Sequence, residues 1–131
     1  MDSTRVWAEI DLDALAHNID VIRRRCAAGT RVMLVVKADA YGHGAIAIAH
    51  HAVHCGIGAL GVGTSAEALE LRQGGIRQPI LVLGTVVEEE LSACLRHRVQ
   101  IGLHSTDRCA SLQERAKSLG VVAEVHLNID T

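Results

Sequence analysis

Lys37 closes an unbroken apolar run, Val32-Met33-Leu34-Val35-Val36, and precedes by four residues the chain's single tyrosine, Tyr41, in the turn Tyr41-Gly42-His43-Gly44. Five apolar residues in a row read as a parallel strand covered on both faces. Lys37 then stands at the C-terminal end of that strand, where parallel sheets gather their ligands. Desolvation there disfavours the ammonium form and lowers the pKa, which frees the amine to attack a carbonyl carbon and form a Schiff base. The plainer alternative is a lysine that extends its charge into solvent. The Tyr41 hydroxyl can donate to a phosphate, and Gly42 and Gly44 let the backbone approach a ligand closely. The plainer alternative here is a loop tyrosine packing its ring. His43 can hold the same turn by hydrogen bonding.

The elements around this segment alternate. Val6 to Ile10 reads as a short strand, and Asp11 or Asp13 can cap a helix whose apolar positions Leu12, Leu15, Ala16, Ile19, Ile22 and Cys26 keep a 3.6-residue period to a stop at Gly29. A helix runs from the glycine turn to about Cys55, and Ala59 to Gly63 is the next strand. Thr64 with Glu67 forms an S/T-x-x-E capping box opening a helix to Gln73, and Gly74-Gly75 ends it. The strand Pro79 to Gly84 follows, then a second box from Thr85 and Glu88, a helix through Leu91, Cys94 and Leu95, and the strand Val99 to Leu103. Ser105-Thr106 caps a helix carrying Cys109, Leu112, Ala116 and Leu119; Gly120 closes it before the strand Val121 to Ile129. Strands and helices alternating in this way imply right-handed crossovers and a parallel sheet, an α/β fold. Thr131 follows directly on that strand with no helix after it, which would leave an exposed edge and favours part of a (β/α)8 TIM-type barrel over a finished open sheet.

The chain has 131 residues, of which 49% are hydrophobic, enough for a core without disulfides or a structural metal, and this excludes intrinsic disorder. Trp7 and Tyr41 are the only aromatic residues, so the core is aliphatic. A net charge of −2 and no basic run beyond Arg23-Arg24-Arg25 give no electrostatic case for nucleic acid or an anionic membrane; those arginines read as a solvated helix face. No segment has the length of a membrane span or the pattern of a secretory signal, so a cytoplasmic protein is expected. Cys26, Cys55, Cys94 and Cys109 are widely spaced and read as reduced, mostly buried thiols.

The ten residues Val35-Val36-Lys37-Ala38-Asp39-Ala40-Tyr41-Gly42-His43-Gly44 resemble the pyridoxal-phosphate attachment motif of the alanine racemase family. The resemblance extends to Trp7-Ala8-Glu9-Ile10-Asp11-Leu12-Asp13-Ala14-Leu15, to the strand Pro79 to Gly84, and to Leu127-Asn128-Ile129-Asp130-Thr131. It implies that Lys37 carries pyridoxal phosphate as a Schiff base and acts as base on one face of the substrate, that Tyr41 binds the phosphate, and that Leu83 lines the cofactor site. Family members have an eight-stranded α/β barrel and a mainly β domain, work as homodimers, and interconvert L- and D-alanine, the latter a cell-wall precursor. Residues 1–131 would be the N-terminal half of that barrel. The second acid/base, a tyrosine from the partner subunit, and the arginines facing substrate and pyridine nitrogen would lie outside it.

The expectation is therefore an amino-acid racemase, with alanine first among its substrates, whose present chain is inactive alone. The alternatives are a non-catalytic pyridoxal-phosphate-binding module or a structural half-barrel that associates with itself or with a complementing half. Asn128 stands where many members have a lysine, carbamylated in some, and resembles broader-specificity relatives.

Two weaker motifs have plainer readings. Gly61-Val62-Gly63-Thr64-Ser65-Ala66 fits a dinucleotide fingerprint, but the next strand ends in Leu83-Gly84 and not in the acid such a site needs. His50 and His54 have the i, i+4 spacing of a zinc pair but no glutamate and no third ligand, so no metal is expected. His17, His97, His104 and His126 form no usable pattern.

Overall fold

The structure is a computed structural model that describes residues 6–129. It holds five parallel strands, β1 (Met33–Val35), β2 (Ala59–Val62), β3 (Ile80–Val82), β4 (Gln100–Leu103) and β5 (Val125–Leu127), in the order β1-β2-β3-β4-β5. The helical segments are α1 (Leu12–Arg25), α2 (Lys37–Gly42), α3 (Ala45–His54), α4 (Ser65–Gln73), α5 (Leu91–Arg96) and α6 (Thr106–Leu119), with a 3-10 turn at Glu88–Glu90. Right-handed crossovers between strands laid down in sequential order put every helix on the same face. That is the winding of a barrel; a doubly wound nucleotide-binding sheet reverses its order at a switch point, and none occurs here.

The register shows how the core is divided. Leu60 pairs with Ile80 and Val62 with Val82 and so with Ile101, and all of these are buried in the cluster under the helices, together with Ala49, Ala52, Leu71, Leu91, Cys94 and Leu112. The alternate positions face the other way, and a side chain at Gly61 would meet Met33, Val35 and Leu83 there. At the N-terminal ends of the strands, Arg72 ties the loops together. Its guanidinium donates to the carbonyls of His97, Ile76, Gln78 and Arg98, and burial, then Arg77 and Arg98, hold its pKa below the usual value.

The caps explain most boundaries. The Asp11 carboxylate accepts from Ala14 N at 2.9 Å, Ser105 Oγ accepts from Arg108 N at 3.3 Å, and Gly120 ends α6 at φ +66. Other expectations need correction. Val6 to Ile10 is not a strand: no described strand runs beside it, and Val6 and Trp7 are exposed. α1 ends at Arg25, before Gly29, because Cys26 turns extended while its N–H bonds Arg23 O. β1 is only half-buried along its length, not fully covered, and has one strand neighbour among the described residues, β2. Thr85 and Glu88 form no capping box: Glu90 accepts from Val87 N, while Glu88 meets Arg108, Ser111 and Arg115 on α6. Arg23 leaves the solvated face to donate to Cys55 O at 2.9 Å. The four cysteines are free, but Cys94 alone is fully buried, its thiol pushed up to about 11 by burial and then by Glu90.

Candidate active site

The C-terminal ends of β1 and β2 are joined backbone to backbone, with Val36 N donating to Gly61 O at 2.8 Å. From that anchored point the chain enters α2, whose inner residues are left-handed: Ala38, Asp39, Ala40 and Tyr41 have φ between 50 and 57 and ψ between 37 and 53. For L-residues this conformation costs about 1–2 kcal/mol each. Such a turn persists only if its surroundings over-determine it.

They do. Ala40 N donates to Val36 O at 2.9 Å, and Ala40 itself is buried in the core. The Asp39 carboxylate accepts from Ala45 N at 2.7 Å, capping α3 across Gly44, while Gly44 N donates to Asp39 O. Gly44 has φ +87, a conformation that side-chain-bearing residues rarely adopt. His43 Nδ1 donates to Ala40 O at 2.8 Å, and since a carbonyl only accepts, Nδ1 carries a proton. The histidine thus has the holding role expected of it.

Lys37 stands where β1 gives way to this turn and is exposed. The described residues therefore do not supply the desolvation expected around its amine. They give it no ion-pair partner either. Its stem runs beside Gly63, where an added Cβ would lie 3.5 Å from Lys37 Cβ. Leu83 N donates to Val62 O, and the Leu83 side chain reaches over Gly61. Lys37 and Leu83 are thus gathered around the Gly61–Gly63 segment. Tyr41 is 60% exposed and borders a different hollow of about 480 Å³ with Ile10, Ala14, Leu34 and His43.

The most connected side chain of the site is one the motif does not contain. Glu67 completes the α4 capping box, its N–H donating to Thr64 Oγ1. Its Oε2 accepts from Gly63 N at 2.7 Å and Thr64 N at 3.1 Å, and its Oε1 accepts from Ala38 N at 2.6 Å. The Gly63 and Thr64 amides that could face a dinucleotide's pyrophosphate are therefore already taken by a carboxylate. Local sequence signalled the box but not the reach to Ala38.

At the same ends of β4 and β5, Asn128 lies 3.3 Å from His104 through its amide nitrogen, and its N–H donates to Leu103 O. His126 and Gln100 are paired one layer below at 2.9 Å. These two cross-strand pairs give pattern to histidines that had none in the sequence. Elsewhere, His50 Nε2 is committed to Gly74 O at 2.7 Å, and among the described residues no group of three His, Cys, Asp or Glu could hold a metal. No described helix is long and apolar enough to cross a membrane.

Comparison with known proteins agrees with this geometry. An alanine racemase from Methanococcus maripaludis is 42% identical over 131 residues, all of this chain and 35% of that protein. The structure of alanine racemase from Clostridium difficile 630 in complex with cycloserine matches with a TM-score of 0.95 and 37% identity over 99% of this chain and 35% of that one. A histidine racemase from Leuconostoc mesenteroides matches with a TM-score of 0.80 and 26% identity, over 87% of this chain and 30% of its own. The chain thus spans about a third of the length of the relatives it matches. The family model described as alanine racemase, N-terminal domain, matches residues 10–131, and the chain, an α/β fold of the TIM-barrel type, belongs to that family.

Proposed function

We propose that this chain is the cofactor-bearing part of a pyridoxal-phosphate-dependent amino-acid racemase acting on alanine, with Lys37 as the Schiff-base lysine. The observation that carries the reading is Lys37 itself: an exposed lysine with no ion-pair partner among the described residues, at the C-terminal end of a parallel strand, rooted in a turn held from several sides. The surroundings fit the group. Gly63 leaves room beside the lysine stem and Leu83 offers an apolar wall, while Tyr41, which borders the other hollow, is exposed and carries a hydroxyl able to donate to a phosphate.

When bound, pyridoxal phosphate would supply an electron sink for charge developing at the substrate's Cα. The residues of this chain supply the rest of one face. Lys37, as a free amine beside the substrate, would take the Cα proton and become an ammonium that can return it. Inversion needs a second acid/base on the opposite face, which we place outside these residues, in a homodimeric cytoplasmic enzyme. The histidine racemase among the similar structures supports testing imidazole-bearing substrates after alanine.

A one-sided site makes a specific prediction. Incubated with pyridoxal phosphate and each alanine enantiomer in heavy water, the chain exchanges the Cα proton of one enantiomer without inverting it. The Lys37→Ala variant exchanges neither above free cofactor. Equal exchange of both enantiomers, or exchange that survives Lys37→Ala, refutes the assignment. A second reading, a module that captures the cofactor without processing amino acids, is favoured by the exposure of Lys37; it predicts capture with no exchange at all.

A further inference from the structure

We propose that Glu67 is a positioning residue for Lys37, its carboxylate bracing the first peptide of the left-handed turn against the β2–α4 loop; this rests on the cofactor role of Lys37 proposed above. A capping box requires one carboxylate oxygen on the N-cap amide, and Oε2 meets that need at Thr64 N. The other oxygen goes elsewhere, across 29 residues of sequence to Ala38 N, and makes the shortest of the three bonds at 2.6 Å. Ala38 N belongs to the peptide whose carbonyl is that of Lys37. Because that peptide is planar, fixing its N–H fixes the plane that holds Lys37 Cα, C and O; with Val36 N held to Gly61 O on the other side, rotation about the Lys37 Cα–C bond is restricted, and with it the course of the Cα–Cβ bond.

The turn needs such a partner. Its first N–H groups have no acceptor within the turn, like those of any helix start, and a charged acceptor satisfies this one most strongly. Gly63 belongs to the same device: a Cβ there would lie 3.3 Å from Glu67 Oε2 and 3.5 Å from Lys37 Cβ, so glycine leaves room for the carboxylate and the lysine stem together. One half-buried carboxylate therefore joins three amides on two loops, Gly63 and Thr64 after β2 and Ala38 after β1.

The test compares three variants by amide hydrogen exchange in the cofactor-free chain and by borohydride trapping of pyridoxal phosphate on Lys37 relative to Lys117, the chain's other lysine. Glu67→Asp keeps the charge at the start of α4 but is one methylene too short to span both loops. Glu67→Gln keeps the length but turns an N–H₂ towards backbone donors. Thr64→Ala removes the hydroxyl half of the box and leaves the carboxylate bonds. In both Glu67 variants Ala38 exchange should speed up about tenfold or more, the loss of one charge-assisted bond, and the preference for Lys37 over Lys117 should fall while circular dichroism stays that of the folded chain. Thr64→Ala should leave Ala38 exchange and the Lys37 preference near wild type.

Unchanged Ala38 exchange in Glu67→Asp, an equal change in Thr64→Ala, or an Lys37 preference that survives the loss of Ala38 protection each overturns the inference. The wild-type chain tests the underlying reading separately. If wild type labels Lys37 and Lys117 alike, the cofactor role fails, and Ala38 exchange, measured without cofactor, still decides whether Glu67 braces the turn.

Discussion

The carbonyl oxygen of Gly63 occupies the space that a side chain on residue 84 would need. The loops leaving β2 and β3 therefore touch backbone to backbone just beyond Val62 and Leu83, and neither can shift without the other. Gly63 neighbours the Lys37 stem and Leu83 precedes Gly84, so this contact also sets the spacing between the lysine and the apolar wall of the site.

Gly84→Ala is accordingly expected to destabilise the chain by about 1–3 kcal/mol, the usual cost of overpacking where backbone must yield. Urea denaturation checks the magnitude. A change below about 0.5 kcal/mol would show that the two loops are not locked.

The left-handed turn predicts that two alanine-to-glycine changes have opposite signs. Ala38 is exposed at φ 50, so Ala38→Gly relieves a conformational cost of about 1–2 kcal/mol, partly offset by the greater freedom of glycine when unfolded. Ala47 is also exposed but lies within right-handed α3, where the same change costs about 1 kcal/mol. Thermal denaturation of the two variants should show Ala38→Gly at or above wild type and Ala47→Gly below it. Equal losses would contradict the left-handed assignment.

Much of this was legible in the sequence and the rest was not, for physical reasons. The alternation of strands and helices, the α4 capping box and the α1 and α6 caps were readable because each depends on residues within four positions of one another. Val6 to Ile10 alternates like a strand, yet pairing requires a neighbour that no local pattern supplies. The turn read at Tyr41 to Gly44 begins earlier, at Ala38, and nothing in Ala-Asp-Ala-Tyr announces positive φ; the restraints come from Val36, Ala45 and Glu67. Lys37 was found by its place at the end of an apolar run. The second task of Glu67 was invisible because its partner is 29 residues away.

Cys94 gives the chain an alkaline limit. Its thiol is fully buried and pushed up from 9.0 to about 11, so the folded state holds the proton where the unfolded chain releases it. The stabilisation is complete below about pH 9 and is lost as pH rises from 9 towards 11, a decline of at most about 3 kcal/mol. Urea midpoints at pH 8 and pH 10.5 should fall for wild type and fall less for Cys94→Ala, which is weaker at both. Parallel declines would assign the alkaline loss to other groups.

The central claim is that Lys37 is built to capture pyridoxal phosphate. The direct measurement mixes the purified chain with the cofactor, reduces with borohydride and maps the modified lysine by peptide mass spectrometry, with Lys37→Ala alongside. Stoichiometric label on Lys37, none on Lys117 and none in the variant is the predicted result. Label divided between Lys37 and Lys117, or no label, would contradict it.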